Sequence, residues 1–282
     1  MEEKIARKSV LITAGADSVG AAIARKFASE GWDTFITSRS EEKAEKAAVA
    51  LAEEYGVRSA GFGVNMLSEE SVDSLFARLT EMGVSLDSIV LNAVSVGPVK
   101  VADPLTCKVS DWADPIQTNI IGNFMLARNA ARMMCDKGGT IVFMSSNTSH
   151  AAIFNRSHYI ASKGGINAMM RALAVDLGKY RIRVNALLAG VILNERIAGY
   201  SDVVKDVIRS RAPLQDGAWS MPDETATAVY FLASDQSSNI TGTELVMDGG
   251  ASVLLGADAS PQANKKKEEE LAKKAQQERG EK

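Results

Sequence analysis

The chain has 282 residues, 46% of them hydrophobic and 24% charged, with a formal net charge of −3 and a pI near 5.6. A chain of this length buries a large core without staples, and its slight acidity gives no electrostatic footing for nucleic acid. Only Cys107 and Cys135 are present, without a CxxC spacing, so neither a disulfide framework nor a zinc site is expected and no metal is assigned.

The N-terminal stretch Met1–Lys8 is rich in charge and leads straight into a strand, unlike a signal peptide. No uncharged apolar run approaches the roughly 20 residues that span a bilayer. The expectation is a soluble, cytoplasmic protein with no membrane contact. Strand-like runs then alternate with helical patterns. Strands are expected at 9–13, 34–37, 60–64, 88–91, 140–145, 182–187 and 244–247. Helices are expected at 21–29, 41–54, 69–81, 114–134, from Tyr159 to about 179, and at 223–233. Such alternation implies parallel pairing through right-handed crossovers, with helices on both faces of the sheet. The fold class is therefore α/β: one doubly wound domain over residues 1–256, with a seven-stranded, mainly parallel sheet. Ligands should sit beyond the carboxyl ends of the strands. Residues 257–282 hold seven Lys/Arg and six Asp/Glu with almost no apolar residues, and read as a flexible or partly helical charged extension.

Tyr159 and Lys163 lie four apart on one helix and so share a face. An ammonium beside a phenol favours the phenolate, which suits the hydroxyl to exchange a proton with a carbonyl or alcohol oxygen. Ser146, thirteen residues upstream at a strand end, is placed to hydrogen-bond that same oxygen. Asn119 lies further upstream in Gln117-Thr118-Asn119-Ile120-Ile121-Gly122.

With these residues the chain resembles the short-chain dehydrogenase/reductase family, from about Ser9 to about Gly250. The resemblance implies a Rossmann-type domain and an active tetrad of Asn119, Ser146, Tyr159 and Lys163. Tyr159 would be the general acid/base and Ser146 would polarise and position the reacting oxygen. Lys163 would assist Tyr159 and hold the nicotinamide ribose, and Asn119 would anchor a water linking Lys163 to solvent. The implied function is NADP-dependent interconversion of a ketone or aldehyde and an alcohol by hydride transfer. Reduction of a 3-oxoacyl thioester is one version of it. Enoyl reduction is disfavoured, because that branch spaces Tyr and Lys more widely.

The cofactor loop joins the first strand to the first helix: Thr13-Ala14-Gly15-Ala16-Asp17-Ser18-Val19-Gly20. Backbone N–H groups and a helix N-terminus meet a pyrophosphate there. The family pattern Thr-Gly-x3-Gly-x-Gly is altered: Ala14 and Ser18 replace two glycines and Gly20 keeps the third. Gly15 is expected to supply the turn instead, and Ser18 to touch phosphate or cap the helix. Further departures are Leu91-Asn92-Ala93-Val94, Asn65 near the adenine, and Ala189-Gly190-Val191-Ile192-Leu193-Asn194, which sets Asn194 toward the nicotinamide carboxamide. The expected shell is thus Thr13, Gly15, Ser18, Val19, Gly20, Ser38, Arg39, Asn65, Asn92, Ala93, Tyr159, Lys163, Gly190, Ile192 and Asn194. Ser38 removes the carboxylate that would select NAD, and Arg39 suits a 2′-phosphate, so NADP(H) is preferred over NAD(H). Against this stands Asp17, where several NADP-linked relatives carry a basic residue. The departures at Ala14, Ser18, Leu91, Val94 and Ala189 also support a second reading, a non-catalytic NADP(H)-binding regulator.

The small-molecule substrate should be walled by 94–100, 147–158 and 191–211, the last as a lid. Asn147, Asn155, Arg156 and Asn194 make those walls polar and hint at a hydroxylated or anionic compound. His150 and His158 read as loop residues near the mouth. Phe124, Met125, Leu126, Met133, Met134, Met169, Met170 and Leu173 exceed what one inward stripe needs, and with the family resemblance they imply a homo-oligomer, a tetramer.

Overall fold

The structure is a computed structural model that describes residues 7–97, 103–214, 219–255 and residue 269. The domain boundary at 256 and the charged extension lie outside the described residues, apart from residue 269, which is helical and exposed. Residues 98–100 of the expected substrate wall lie outside them as well.

Seven strands form one sheet: β1 (Ser9–Ile12), β2 (Asp33–Ser38), β3 (Ser59–Gly63), β4 (Ser88–Leu91), β5 (Gly139–Ser146), β6 (Ile182–Ala189) and β9 (Glu244–Met247). Their order is β3-β2-β1-β4-β5-β6-β9 and every pair is parallel. β1 and β4 are buried at every position, as strands covered on both faces must be, which is why they read as continuous apolar runs. Between these two strands the chain order reverses, and that switch point opens a crevice above the strand ends. The helices are α1 (Ser18–Ser29), α2 (Glu41–Tyr55), α3 (Glu69–Glu81), α4 (Val109–Ile116), α5 (Asn123–Met134), α6 (Ser157–Leu177), α7 (Glu195–Ala198), α8 (Asp202–Ser210) and α9 (Pro222–Ala233). Two apolar clusters cover the two sheet faces. One is built around Phe62, Phe76, Met134 and Met170. The other is built around Phe27 and Trp32, with Tyr230 edge-on to Phe27 at 5.3 Å.

Three expectations need correction. The helix expected at 114–134 starts earlier, at Val109, and runs as α4, a wide π-type turn at Gln117–Gly122, and α5. Pro115 lies inside α4 without an N–H to bond the preceding turn, and the wide turn begins two residues after it. Next, α1 starts at Ser18 rather than 21. Last, the 191–220 region holds a two-stranded parallel pair, β7 (Val191–Ile192) with β8 (Trp219–Ser220), besides α7 and α8. Two-residue strands carry no periodicity to read.

The apolar residues expected to leave an outer face mostly turn inward. Met125, Leu126, Met134 and Met170 are buried, and Met133, Met169 and Leu173 pack on the first cluster. Phe124 is exposed, as are Ile121 and Val175.

Candidate active site

β5 ends at Ser146, and α6 returns over that end carrying Tyr159 and Lys163. Lys163 is 3% exposed, and its Nζ donates to the Met144 carbonyl at 2.7 Å. The same Nζ lies 5.7 Å from the centre of the half-buried Tyr159 ring. Burial pushes the Lys163 ammonium from 10.5 down to about 7, so its proton is exchangeable near neutrality. Ser146 Oγ accepts from the Thr148 N–H at 3.2 Å and from the Thr148 hydroxyl at 3.0 Å. Accepting twice leaves that hydroxyl its single proton to donate.

Asn119 sits in the wide turn and is fully buried. Its Oδ1 accepts from the Ser95 N–H at 2.7 Å, and its Nδ2 donates to the Ser95 carbonyl at 2.8 Å and to Ser162 Oγ at 2.9 Å. The Ser162 hydroxyl in turn donates to the Tyr159 carbonyl at 2.8 Å. Both amide protons of Asn119 are therefore spent on the loop after β4 and on α6. Asn123 Nδ2 donates to the Asn119 carbonyl at 3.0 Å, while Asn123 Oδ1 is buried without a protein partner. Sequence reasoning missed Ser95, Thr148, Ser162 and Asn123. Ser162 alone had a signal, lying one turn beyond Tyr159.

A cavity of about 620 Å³ opens at the switch point, lined among others by Thr13, Asp17, Ser38, Arg39, Asn65 and Ala93. Its floor is a knot: the Thr13 hydroxyl accepts from the N–H groups of Asn92 and Ala93 at 2.9 Å each, and Asn92 Nδ2 donates to the Thr13 carbonyl at 3.1 Å. The loop turn does not come from Gly15, contrary to expectation. Ala14 and Ser18, the two residues in place of glycines, hold φ of +50° and +47°, the left-handed region glycine favours. Gly15 is needed for space, since a Cβ there would fall 2.7 Å from Ile36 Cγ2. Gly20 is needed more strictly, because its Cβ would lie 1.9 Å from the Ala14 carbonyl oxygen. Ser18 is the first residue of α1 and not its cap; Asp17 holds the cap position without a side-chain capping bond. Val19 packs on the second apolar cluster.

The remaining shell is uneven. Asn65 is exposed and its Oδ1 accepts from the Leu67 N–H at 3.1 Å. Ser38 Oγ accepts from the Ser40 N–H at 3.3 Å, and Arg39 is exposed at the rim. Gly190 N–H donates to the Met247 carbonyl at 2.9 Å, Ile192 pairs with Ser220 in the small sheet, and Asn194 caps α7 by accepting from the Ile197 N–H at 3.1 Å. Asn147 Nδ2 donates to Asp248 at 3.1 Å. Burial raises the Asp248 carboxyl, but hydrogen bonds from Ser252, Asn147 and the backbone of Ser252 and Gly250 outweigh it and hold the group below its usual range. Two of the four polar wall residues are thus engaged within the protein, whereas Ile153 and Phe154 are exposed. The histidines also divide. His150 is exposed and its Nε2 lies 2.5 Å from Glu244, but His158 is buried in α6, donating from Nε2 to the Val96 carbonyl at 3.2 Å.

The sequence profile described as Enoyl-(Acyl carrier protein) reductase matches residues 13–252. The chain belongs to the short-chain dehydrogenase/reductase family. A 3-oxoacyl-(acyl-carrier-protein) reductase of Aquifex aeolicus (strain VF5) is 32% identical over 251 residues, covering 89% of this chain and 99% of that protein. The crystal structure of a short-chain type dehydrogenase/reductase from Mycobacterium marinum is similar with a TM-score of 0.76 at 28% identity, covering 86% of this chain and 94% of that one. A gluconate 5-dehydrogenase from Burkholderia cenocepacia J2315, solved in complex with NADP and tartrate, gives a TM-score of 0.80 at 26% identity, over 88% and 96% of the two chains. This short-chain dehydrogenase/reductase is an NAD(P)-dependent oxidoreductase acting on small molecules. Among the described residues, no helix is long and apolar enough to cross a membrane.

Proposed function

We propose that this enzyme interconverts a ketone or aldehyde and an alcohol with NADP(H), using Asn119, Ser146, Tyr159 and Lys163. The observation that carries the reading is the buried Lys163, held on the Met144 carbonyl beside the Tyr159 ring with a pKa near neutrality. Tyr159 transfers the proton to or from the substrate oxygen. Ser146 donates its remaining proton to the same oxygen and stabilises the charge that develops there. Lys163, while protonated, favours negative charge on the Tyr159 oxygen and then replenishes its proton. Asn119 fixes the loop after β4 and α6 in one geometry. Its carbonyl and the orphaned Asn123 Oδ1 supply acceptors for a relay water.

The residues present fit a dinucleotide. The left-handed backbone at Ala14 and Ser18 keeps the shape of a glycine loop, and the bare Cα of Gly20 keeps it close to α1. The leading N–H groups of α1, at Ser18, Val19 and Gly20, would meet the pyrophosphate. Arg39 and Ser38 would select the 2′-phosphate, Asn65 would face the adenine, and Gly190, Ile192 and Asn194 would lie toward the nicotinamide. When bound, NADP(H) supplies the hydride. Retention of the loop shape supports cofactor binding, which the oxidoreductase and an NADP(H)-binding regulator share, so turnover is what separates them. The exposed Ile153 and Phe154 favour a substrate with an apolar portion, such as a 3-oxoacyl thioester, in line with the Aquifex relative.

Following NADPH oxidation against a carbonyl panel of 3-oxoacyl thioesters, ketoses and simple ketones tests this reading. Turnover is expected, fastest with the thioesters. NADPH binding without oxidation of any panel member would favour the non-catalytic NADP(H)-binding regulator instead.

A further inference from the structure

Lys43, the third residue of α2, forms an ion pair with Asp17 at the start of α1. Both line the cofactor cavity together with Ser38, Arg39 and Ser40. The two helices begin above the carboxyl ends of β1 and β2, which are neighbours in the sheet. The pair therefore bridges the region where a ribose of the dinucleotide meets the end of the second strand. Its side chains are 52% and 61% exposed, so water screens the attraction and the pair contributes little to stability. A phosphate dianion offers an ammonium more charge and more acceptors than one carboxylate. Arg39, on the same rim, has no carboxylate within ion-pair distance among the described residues.

Building on the cofactor reading above, we propose that Lys43 is a second 2′-phosphate ligand beside Arg39, and that Asp17 is its resting counter-ion. With NADP(H), Lys43 leaves Asp17 for the phosphate. With NAD(H) the pair stays closed. Asp17, which by itself argues against NADP, thus sets how much selectivity the site keeps, because every 2′-phosphate must compete with it for Lys43.

Calorimetric titration of the full chain with NADPH, NADH, adenosine 2′-phosphate and adenosine 5′-phosphate tests this without turnover. Lys43→Met should weaken NADPH and adenosine 2′-phosphate about tenfold, the weight of one charge-assisted contact, and leave NADH within about twofold. It should also flatten the salt dependence of NADPH binding. Asp17→Asn should tighten NADPH and leave NADH nearly unchanged, and Arg39→Ala combined with Lys43→Met should lose more selectivity than either alone. Equal losses of NADPH and NADH in Lys43→Met, or no loss of either, would overturn the role of Lys43 while leaving the NADP reading intact. A wild-type protein that prefers NADH would instead overturn the NADP reading, and this inference with it.

Discussion

The Lys163 ammonium donates to the Met144 carbonyl at 2.7 Å and lies 5.7 Å from the centre of the Tyr159 ring. Burial lowers its pKa from 10.5 to about 7. Below about pH 7 both folded and unfolded chains carry this proton, and the fold bears the full cost of the buried charge. Between about 7 and 10.5 the unfolded chain keeps a proton that the native state has released, so stability rises with pH through that window. Denaturant unfolding across it should show this rise, and Lys163→Met should flatten it. A native protein whose stability falls over the same window, with Lys163→Met following it, would place the ammonium outside the buried cleft.

Ala14 and Ser18 hold left-handed backbone that costs a non-glycine residue roughly 1–2 kcal/mol. Ala14→Gly and Ser18→Gly relieve that strain but enlarge the freedom of the unfolded chain, so each should be neutral to stabilising by about 1 kcal/mol in thermal unfolding. Gly20→Ala should do the opposite and abolish dinucleotide binding, because its Cβ would lie 1.9 Å from a carbonyl oxygen. Cofactor binding unchanged in Gly20→Ala would mean the loop is free to move away from α1.

The order of strands and helices was readable because β-branched runs such as Val10-Leu11-Ile12 and amphipathic helices such as Glu69–Glu81 have strong periods. Tyr159, Lys163, Ser146 and Asn119 stand out in the sequence as a candidate set, by residue type and by separations that match the family resemblance. What escaped were effects of space and of side chains bonding to backbone. The wide turn at Gln117–Gly122 interrupts a helix whose composition looked continuous. Gly15 was credited with a turn it does not make, since composition cannot tell a glycine kept for φ from one kept for its closeness to Ile36. The Asp17–Lys43 pair joins residues 26 positions apart, which only the parallel pairing of β1 and β2 brings together.

The assembly reading now rests on fewer residues. Ile121, Phe124 and Val175 keep apolar surface exposed around α5 and α6, and pairing of these helices between copies would cover it. Light scattering at micromolar concentration should report a tetramer for the full chain, with Phe124→Asp shifting it to smaller species. A monomeric wild-type protein would overturn the assembly.

The proton-transfer role of Tyr159 is tested most directly by Tyr159→Phe, assayed for NADPH oxidation on the best substrate of the panel and titrated with NADPH in parallel. The hydroxyl is expected to carry about 10²–10⁴-fold in rate, so turnover should fall by that factor while the NADPH dissociation constant stays within about twofold. Wild-type turnover in Tyr159→Phe would contradict the account.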